Sequence, residues 1–192
     1  MSTDGRRARI YRHLQNGGTN PLIWAVIGTV VGIGDTLVAA PFLNSVFTAP
    51  IFLLVIAVPI ASLVAVLVFY PSHERRLSSL VALYFSLILI FSVLHFQLVL
   101  FFDEGHIAYD GIHPAWKWLG GTQGRILEVG NVIQSFADCF HFSVVTMTTV
   151  GYGDMTPTRW YSRLLSDVQI LIGLGVVVVG VGRYFAGLTA KE

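Results

Sequence analysis

The chain has 192 residues, of which 54% are hydrophobic and only 12% charged, with a formal net charge of +1 and a mean hydropathy of +0.70. This balance excludes an ordinary soluble domain and defines one compact unit of integral-membrane type. Cys139 is the single cysteine, which excludes an intrachain disulfide. No nucleotide-binding glycine motif, metal-ligand cluster or nucleophile–base pair is present, so the sequence predicts neither an enzyme nor a nucleic-acid partner.

Residues 1–20 carry Arg6, Arg7, Arg9 and Arg12 and are predicted to form a cytosolic N-terminus. They lead straight into a first apolar span, Leu22–Ala40, without an A-x-A site, so no cleavable signal peptide is expected. That span holds nine Leu, Ile or Val residues, worth roughly 4 kcal/mol of insertion, against about 3 kcal/mol for a central Asp. Asp35 is therefore expected near the outer interface or beside a partner. Gly28 and Gly32 form a G-x-x-x-G pair that permits close helix contact. A second span, Ile51–Tyr70, holds fourteen Leu, Ile, Phe or Val residues and inserts by roughly 6 kcal/mol. With the following loop, which contains Arg75 and Arg76, these spans make residues 21–79 a peripheral helix pair. Neither span repeats arginine in the manner of a voltage sensor.

The third span, Leu80–Phe102, encloses His95 and Gln97, expected to hydrogen-bond between helices. Asp103–Asn131 is expected to be a solvated outer loop, with Trp116 and Trp118 at the membrane interface. His106 and His113 lie near acidic residues, but their spacing defines no metal geometry. Ser135–Met147 reads as a helix of about three and a half turns, too short to cross about 30 Å of hydrocarbon, and so re-entrant. Thr148-Thr149-Val150-Gly151-Tyr152-Gly153-Asp154 follows. Its glycines point to left-handed backbone, and irregular backbone at membrane depth requires burial in protein or a water-filled lining. The fourth span is Tyr161–Phe185 and contains Gly173. The N-terminal arginines, Arg75 with Arg76, and Arg183 with Lys191 place both termini in the cytoplasm.

TTVGYGD, preceded by a short helix and followed by a spanning one, resembles the filter of tetrameric potassium channels, for which TVGYG is the recognised string. The resemblance covers about Leu80–Ala186. It implies an all-α membrane protein with four transmembrane helices and a re-entrant pore helix and filter loop between the third and fourth. Residues 80–192 would be the pore domain. K+ would bind at Thr149, Val150, Gly151 and Tyr152, through backbone carbonyls and the Thr149 hydroxyl. Thr148, Gly153, Asp154, His141 and Phe142 would support the filter. Many members carry two tryptophans where this chain has His141 and Phe142, and some an acid where it has Val145. Phe142 is accordingly expected to brace by packing alone, and His141 to reach Asp154, which would make the filter responsive to external acid. Gly173, twenty residues after Gly153, is the candidate hinge.

One filter string cannot ring an ion, so the resemblance also implies a homotetramer in the plasma membrane, in contact with lipid. K+ is the transported ion, and no cofactor is implied. Few residues follow the fourth span, so gating is expected to be intrinsic, to come from a separate partner, or to rest on a part of the protein outside this sequence. A less selective cation channel and a non-conducting, modulatory subunit are the alternatives left open.

Overall fold

The computed structural model describes residues 26–34, 57, 60–61, 77–102, 108–118 and 125–189. Three long helices organise them: α1 (Leu77–Phe102), α2 (Val129–Met147) and α3 (Trp160–Thr189). The described part is mostly helical, as expected. Leu80–Phe101 in α1 and Trp160–Gly182 in α3 are the two helical segments among the described residues long and apolar enough to cross a membrane. They differ in setting. The first is 78% buried inside the chain, the second only 17%.

The reason is visible in the packing. α1 lies in the middle, contacting α2, α3 and the helical residues 26–34. Gly28, Thr29 and Gly32 are buried, and a Cβ added to Gly32 would stand 3.0 Å from Val93 Cγ1. Gly32 therefore lets this stretch approach Val93 of α1 closely, as expected of a small residue at a helix contact. The rest of the first span with Asp35, all of the second except the helical residues 57, 60 and 61, and the flanking arginines up to Arg76 lie outside the described residues.

Helix α2 begins six residues before the expected Ser135. Glu128 is extended at φ −103° and ψ 125° and serves as its N-cap, its carbonyl accepting the first helical bond from Val132 N at 2.9 Å. At 19 residues the helix is about 28 Å long, so shortness is not what keeps it from being a span. Asn131, Gln134, Asp138 and His141 interrupt its apolar run instead.

The outer loop is more structured than expected. β1 (Tyr109–Asp110) pairs antiparallel with β4 (Thr156–Pro157), and β2 (Trp116–Trp118) with β3 (Arg125–Leu127). Trp116 is buried rather than interfacial, because its indole N–H donates to the Leu100 carbonyl at 3.0 Å. That carbonyl is among the last four of α1, which lack helical partners. Two apolar clusters complete the core. An outer one gathers Phe96, Leu100, Tyr109, Trp116, Cys139 and Phe142. An inner one joins Leu87, Ile90 and Phe91 of α1 to Met147 at the end of α2.

Candidate functional site

The segment of interest starts where α2 stops. Thr148 N donates to Val144 O at 3.0 Å, Thr149 N to Thr146 O at 3.1 Å and Val150 N to Val145 O at 3.0 Å. Tyr84 of α1 donates its hydroxyl to Met147 O at 2.6 Å. The last four carbonyls of α2 are thus all satisfied within the chain. Thr148 adds a hydroxyl bond to Val144 O at 2.8 Å, holding the turn that redirects the chain.

From here the backbone alternates. Thr149 has φ 57°, Gly151 φ 58° and Gly153 φ 79°, whereas Val150 and Tyr152 between them are not left-handed. A Cβ on Gly151 or Gly153 would meet nothing within 4 Å. Glycine is required there by torsion and not by space. Thr149 is the one non-glycine with positive φ among the described residues. For a β-branched residue this costs about 1–2 kcal/mol, strain of the kind retained at functional sites.

Around this segment the chain supplies a partial frame. The His141 ring lies parallel to that of Tyr152, 7° apart in plane and 6.1 Å between centroids, and its Nε2 is 3.5 Å from Asp154 Oδ2. Asp154 Oδ1 accepts from Met155 N at 3.0 Å. On the other side, a Cβ on Gly111 (φ 83°) would overlap the Asp154 carbonyl oxygen, so the β1 turn presses directly on the backbone that leaves the segment. The β1–β4 pairing, Thr158 N to Ala108 O at 3.0 Å and Ser162 Oγ to the same oxygen at 2.8 Å fasten that exit. Val150 and Tyr152 themselves are exposed, Tyr152 by 69%.

The other sequence-selected residues fall elsewhere. Phe142 is buried, with its ring edge-on to His95 at 4.9 Å and Tyr109 at 5.2 Å. Val145 is buried beneath the turn. Gly173 lies in an unbroken α3 and is buried; a Cβ there would come within 2.6 Å of Met147 Sδ. His95 does bridge helices, through Nε2 to Gln169 Oε1 at 2.7 Å, while Gln97 is buried. His113 ties the outer loop to α2, its Nδ1 2.7 Å and its backbone N 3.0 Å from Asp138 Oδ2. No group of three or more metal-ligating side chains occurs among the described residues. Tyr84, Tyr109, Gly111, Ser143 and Gln169 were not singled out by the sequence. Gln169 had one usable signal, a lone amide in an otherwise aliphatic stretch of a spanning helix.

Residues 113–189 match the family described as "Ion channel". The chain is 33% identical over 64 residues to human potassium voltage-gated channel subfamily KQT member 3, a match covering 33% of this chain and 7% of that protein. It is 35% identical over 64 residues to human KQT member 4, covering 33% and 9%. To two pore potassium channel a of Oryza sativa subsp. japonica it is 40% identical over 55 residues, covering 29% and 16%. The matches span 16% or less of these relatives' own length. No solved structure matches the chain. The segment that holds α2, the alternating backbone and α3 is therefore similar to ion channels, and part of the chain is similar to potassium channels, as the sequence resemblance implied.

Proposed function

We propose that the chain is one subunit of a potassium-selective channel that conducts K+ passively through a filter at Thr149–Tyr152. The observation that carries this reading is the alternation of left-handed φ at Thr149, Gly151 and Gly153. Alternating backbone hands set successive peptide groups on common sides of the chain, whereas an ordinary strand reverses them at each residue. A row of carbonyls on one side is what replaces the hydration shell of a potassium ion.

Four copies supply the ring that one segment cannot. The exposure of α3 supports that assembly. Leu164, Val168, Leu171, Val178 and Phe185 recur at steps of three, four and seven and are all exposed in the isolated chain. A stripe of this kind on a spanning helix is ready for neighbouring subunits, as is the exposed face of Val150 and Tyr152. In the assembled channel, Thr148, Gly153, Asp154 and His141 support the filter, Phe142 packs behind it, and Gly173 is the candidate hinge of the inner helix. Residues 80–192 are the pore domain, 21–79 a peripheral helix pair and 1–20 a cytosolic segment. The channel sits in the plasma membrane with both termini cytoplasmic.

The test is the reversal potential of the purified protein in a planar bilayer under opposed K+ and Na+ gradients. Reversal near the potassium equilibrium potential is the expected result. Reversal near zero would sink the selectivity claim, and silence from an intact tetramer would favour a modulatory subunit.

A further inference from the structure

Behind the filter turn lies a run of buried polar groups that neither the family match nor the filter reading explains. Tyr109, His95, Gln169 and Ser143 are each buried to 1% exposure or less. They come from four elements: β1, α1, α3 and α2. Tyr109 Oη is 2.5 Å from His95 Nδ1, and His95 Nε2 is 2.7 Å from Gln169 Oε1. Gln169 Nε2 is 2.8 Å from both Ser143 O and Ser143 Oγ, and Ser143 Oγ is 2.9 Å from Ile88 O.

With the His95 ring uncharged, as its burial among apolar groups with no carboxylate partner favours, only one arrangement of hydrogens satisfies every contact. Ser143 O and Ile88 O are backbone carbonyls and can only accept. The Ser143 hydroxyl must therefore donate to Ile88 O, and Gln169 must turn its NH₂ toward Ser143. Its Oε1 then faces His95, so His95 Nε2 must carry the hydrogen. Nδ1 is left bare and accepts from the Tyr109 hydroxyl. The chain is directional, with each group's role fixed by the next, and it makes His95 the neutral Nε2–H tautomer.

Its endpoints matter more than its members. Ser143 lies five residues before Thr148, on the helix whose end launches the filter. Gln169 lies four residues before Gly173 on the inner helix. Tyr109 is in β1 and pairs with Pro157 of β4, three residues beyond Asp154. We propose that Gln169, with His95 and Ser143, is a polar latch holding the inner helix in register with the pore helix, and that Gln169 is a positioning residue for the filter. An inner helix that turns or slides removes the amide from Ser143 and leaves buried donors and acceptors unmade, the costliest state for such groups. The conducting arrangement is thereby tied to one position of α3. This inference rests on the channel reading for its functional consequence, but not for its chemistry.

The experiment has two arms. In bilayers containing the full-length protein, Gln169→Leu is expected to shorten the mean conducting dwell by about tenfold, with the K+ over Rb+ permeability ratio altered. His95→Gln, which keeps a donor toward Gln169 Oε1, is expected to recover most of that dwell. Gln169→Leu combined with Ser143→Ala is expected to lose less than the sum of the two single losses, the mark of a shared interaction. A dwell within twofold of wild type in Gln169→Leu, or additive losses in the double variant, would overturn the latch. The second arm needs no current: 15N spectra of histidine-labelled wild-type protein in lipid, with His95 assigned by the resonance lost in His95→Gln. Protonated Nε2 with bare Nδ1 supports the latch, and protonated Nδ1 overturns it. If wild type fails to conduct K+, the channel reading falls while this spectrum still decides the hydrogen-bond chain.

Discussion

His141 stands 3.5 Å from the Asp154 carboxylate through Nε2 while its ring lies flat against Tyr152. One side chain thus touches both the aromatic of the candidate filter and the acid at its exit. Both members of the pair are about half exposed, at 45% and 53%, so as an ion pair it contributes at most about 1 kcal/mol to stability. Its consequence should be local. His141→Phe keeps an aromatic ring beside Tyr152 and loses the contact to Asp154, whereas His141→Ala loses both. Sustained current is therefore expected to fall modestly in His141→Phe and further in His141→Ala. Current decay during long depolarised recordings of the three proteins checks this. Indistinguishable decay in all three would rule it out.

Gly173 offers a case where two explanations of one glycine give opposite outcomes. A hinge requires freedom to bend, whereas the observed contact requires absence of a side chain: a Cβ would fall 2.6 Å from Met147 Sδ. If packing is what Gly173 provides, Gly173→Ala forces the thioether aside and costs about 1–3 kcal/mol. Because the obstructing atom belongs to Met147, Gly173→Ala should cost much less in a Met147→Ala background than in the wild type, whatever Met147→Ala itself costs. Thermal unfolding of the protein in detergent reads the stability. A Gly173→Ala loss of the same size in both backgrounds, with reduced opening, would instead favour the hinge.

What the sequence disclosed and what it hid divide along one physical line. Spanning helices are written in local composition, so Leu80–Phe102 and Tyr161–Phe185 were legible to within a few residues. The left-handed positions Gly151 and Gly153 were legible because only glycine adopts them freely. Thr149 was not, since its strain is imposed by the surroundings. The start of α2 was missed because Gly130 and Asn131 are poor helix formers, and the helix there depends on packing and on the Glu128 carbonyl. Strands of two or three residues, such as Tyr109–Asp110 with Thr156–Pro157, carry no readable period and exist only through their distant partners. Trp116 was placed at the interface on its residue type, whereas packing in the outer cluster, with a bond to Leu100 O, puts it in the core. His95 was recognised as an interhelical group, but its partners lie 14 and 74 residues away, and spacing cannot name them.

Two glycines with positive φ should respond differently to alanine. At Gly151 a methyl group meets nothing within 4 Å, so only the torsional cost remains, about 1–2 kcal/mol per subunit. At Gly111 the same cost applies and the methyl also overlaps the Asp154 carbonyl oxygen, a backbone atom that cannot swing away. Gly111→Ala is therefore expected to lower the melting temperature more than Gly151→Ala does. Conduction should show the reverse emphasis in kind. Gly151→Ala is expected to shift the reversal potential toward zero, because the dihedral change would reorient a carbonyl inside the proposed filter. Equal losses of stability in the two variants would mean that the β1 turn does not bear on Asp154.

Tyr109 makes a prediction about alkaline pH. Its phenol is raised well above the ordinary value of 10, first by burial and then by Cys139 and Tyr161 nearby. The folded protein therefore holds the proton more tightly than the unfolded chain. The stability this contributes is fully present below about pH 10, where the phenol is protonated in both states, and is lost as pH rises toward the folded value. Wild-type protein in detergent should accordingly show a steep fall in melting temperature once pH passes about 10. In Tyr109→Phe that fall should be shallower, from a starting stability lower by about 1 kcal/mol for the lost bond to His95. The comparison must be of slopes and not of absolute temperatures, since other tyrosines and the lysines titrate in both proteins. Parallel slopes would mean that Tyr109 is hydrated in solution, and the outer cluster around Trp116 and Phe142 would have to open to let that happen.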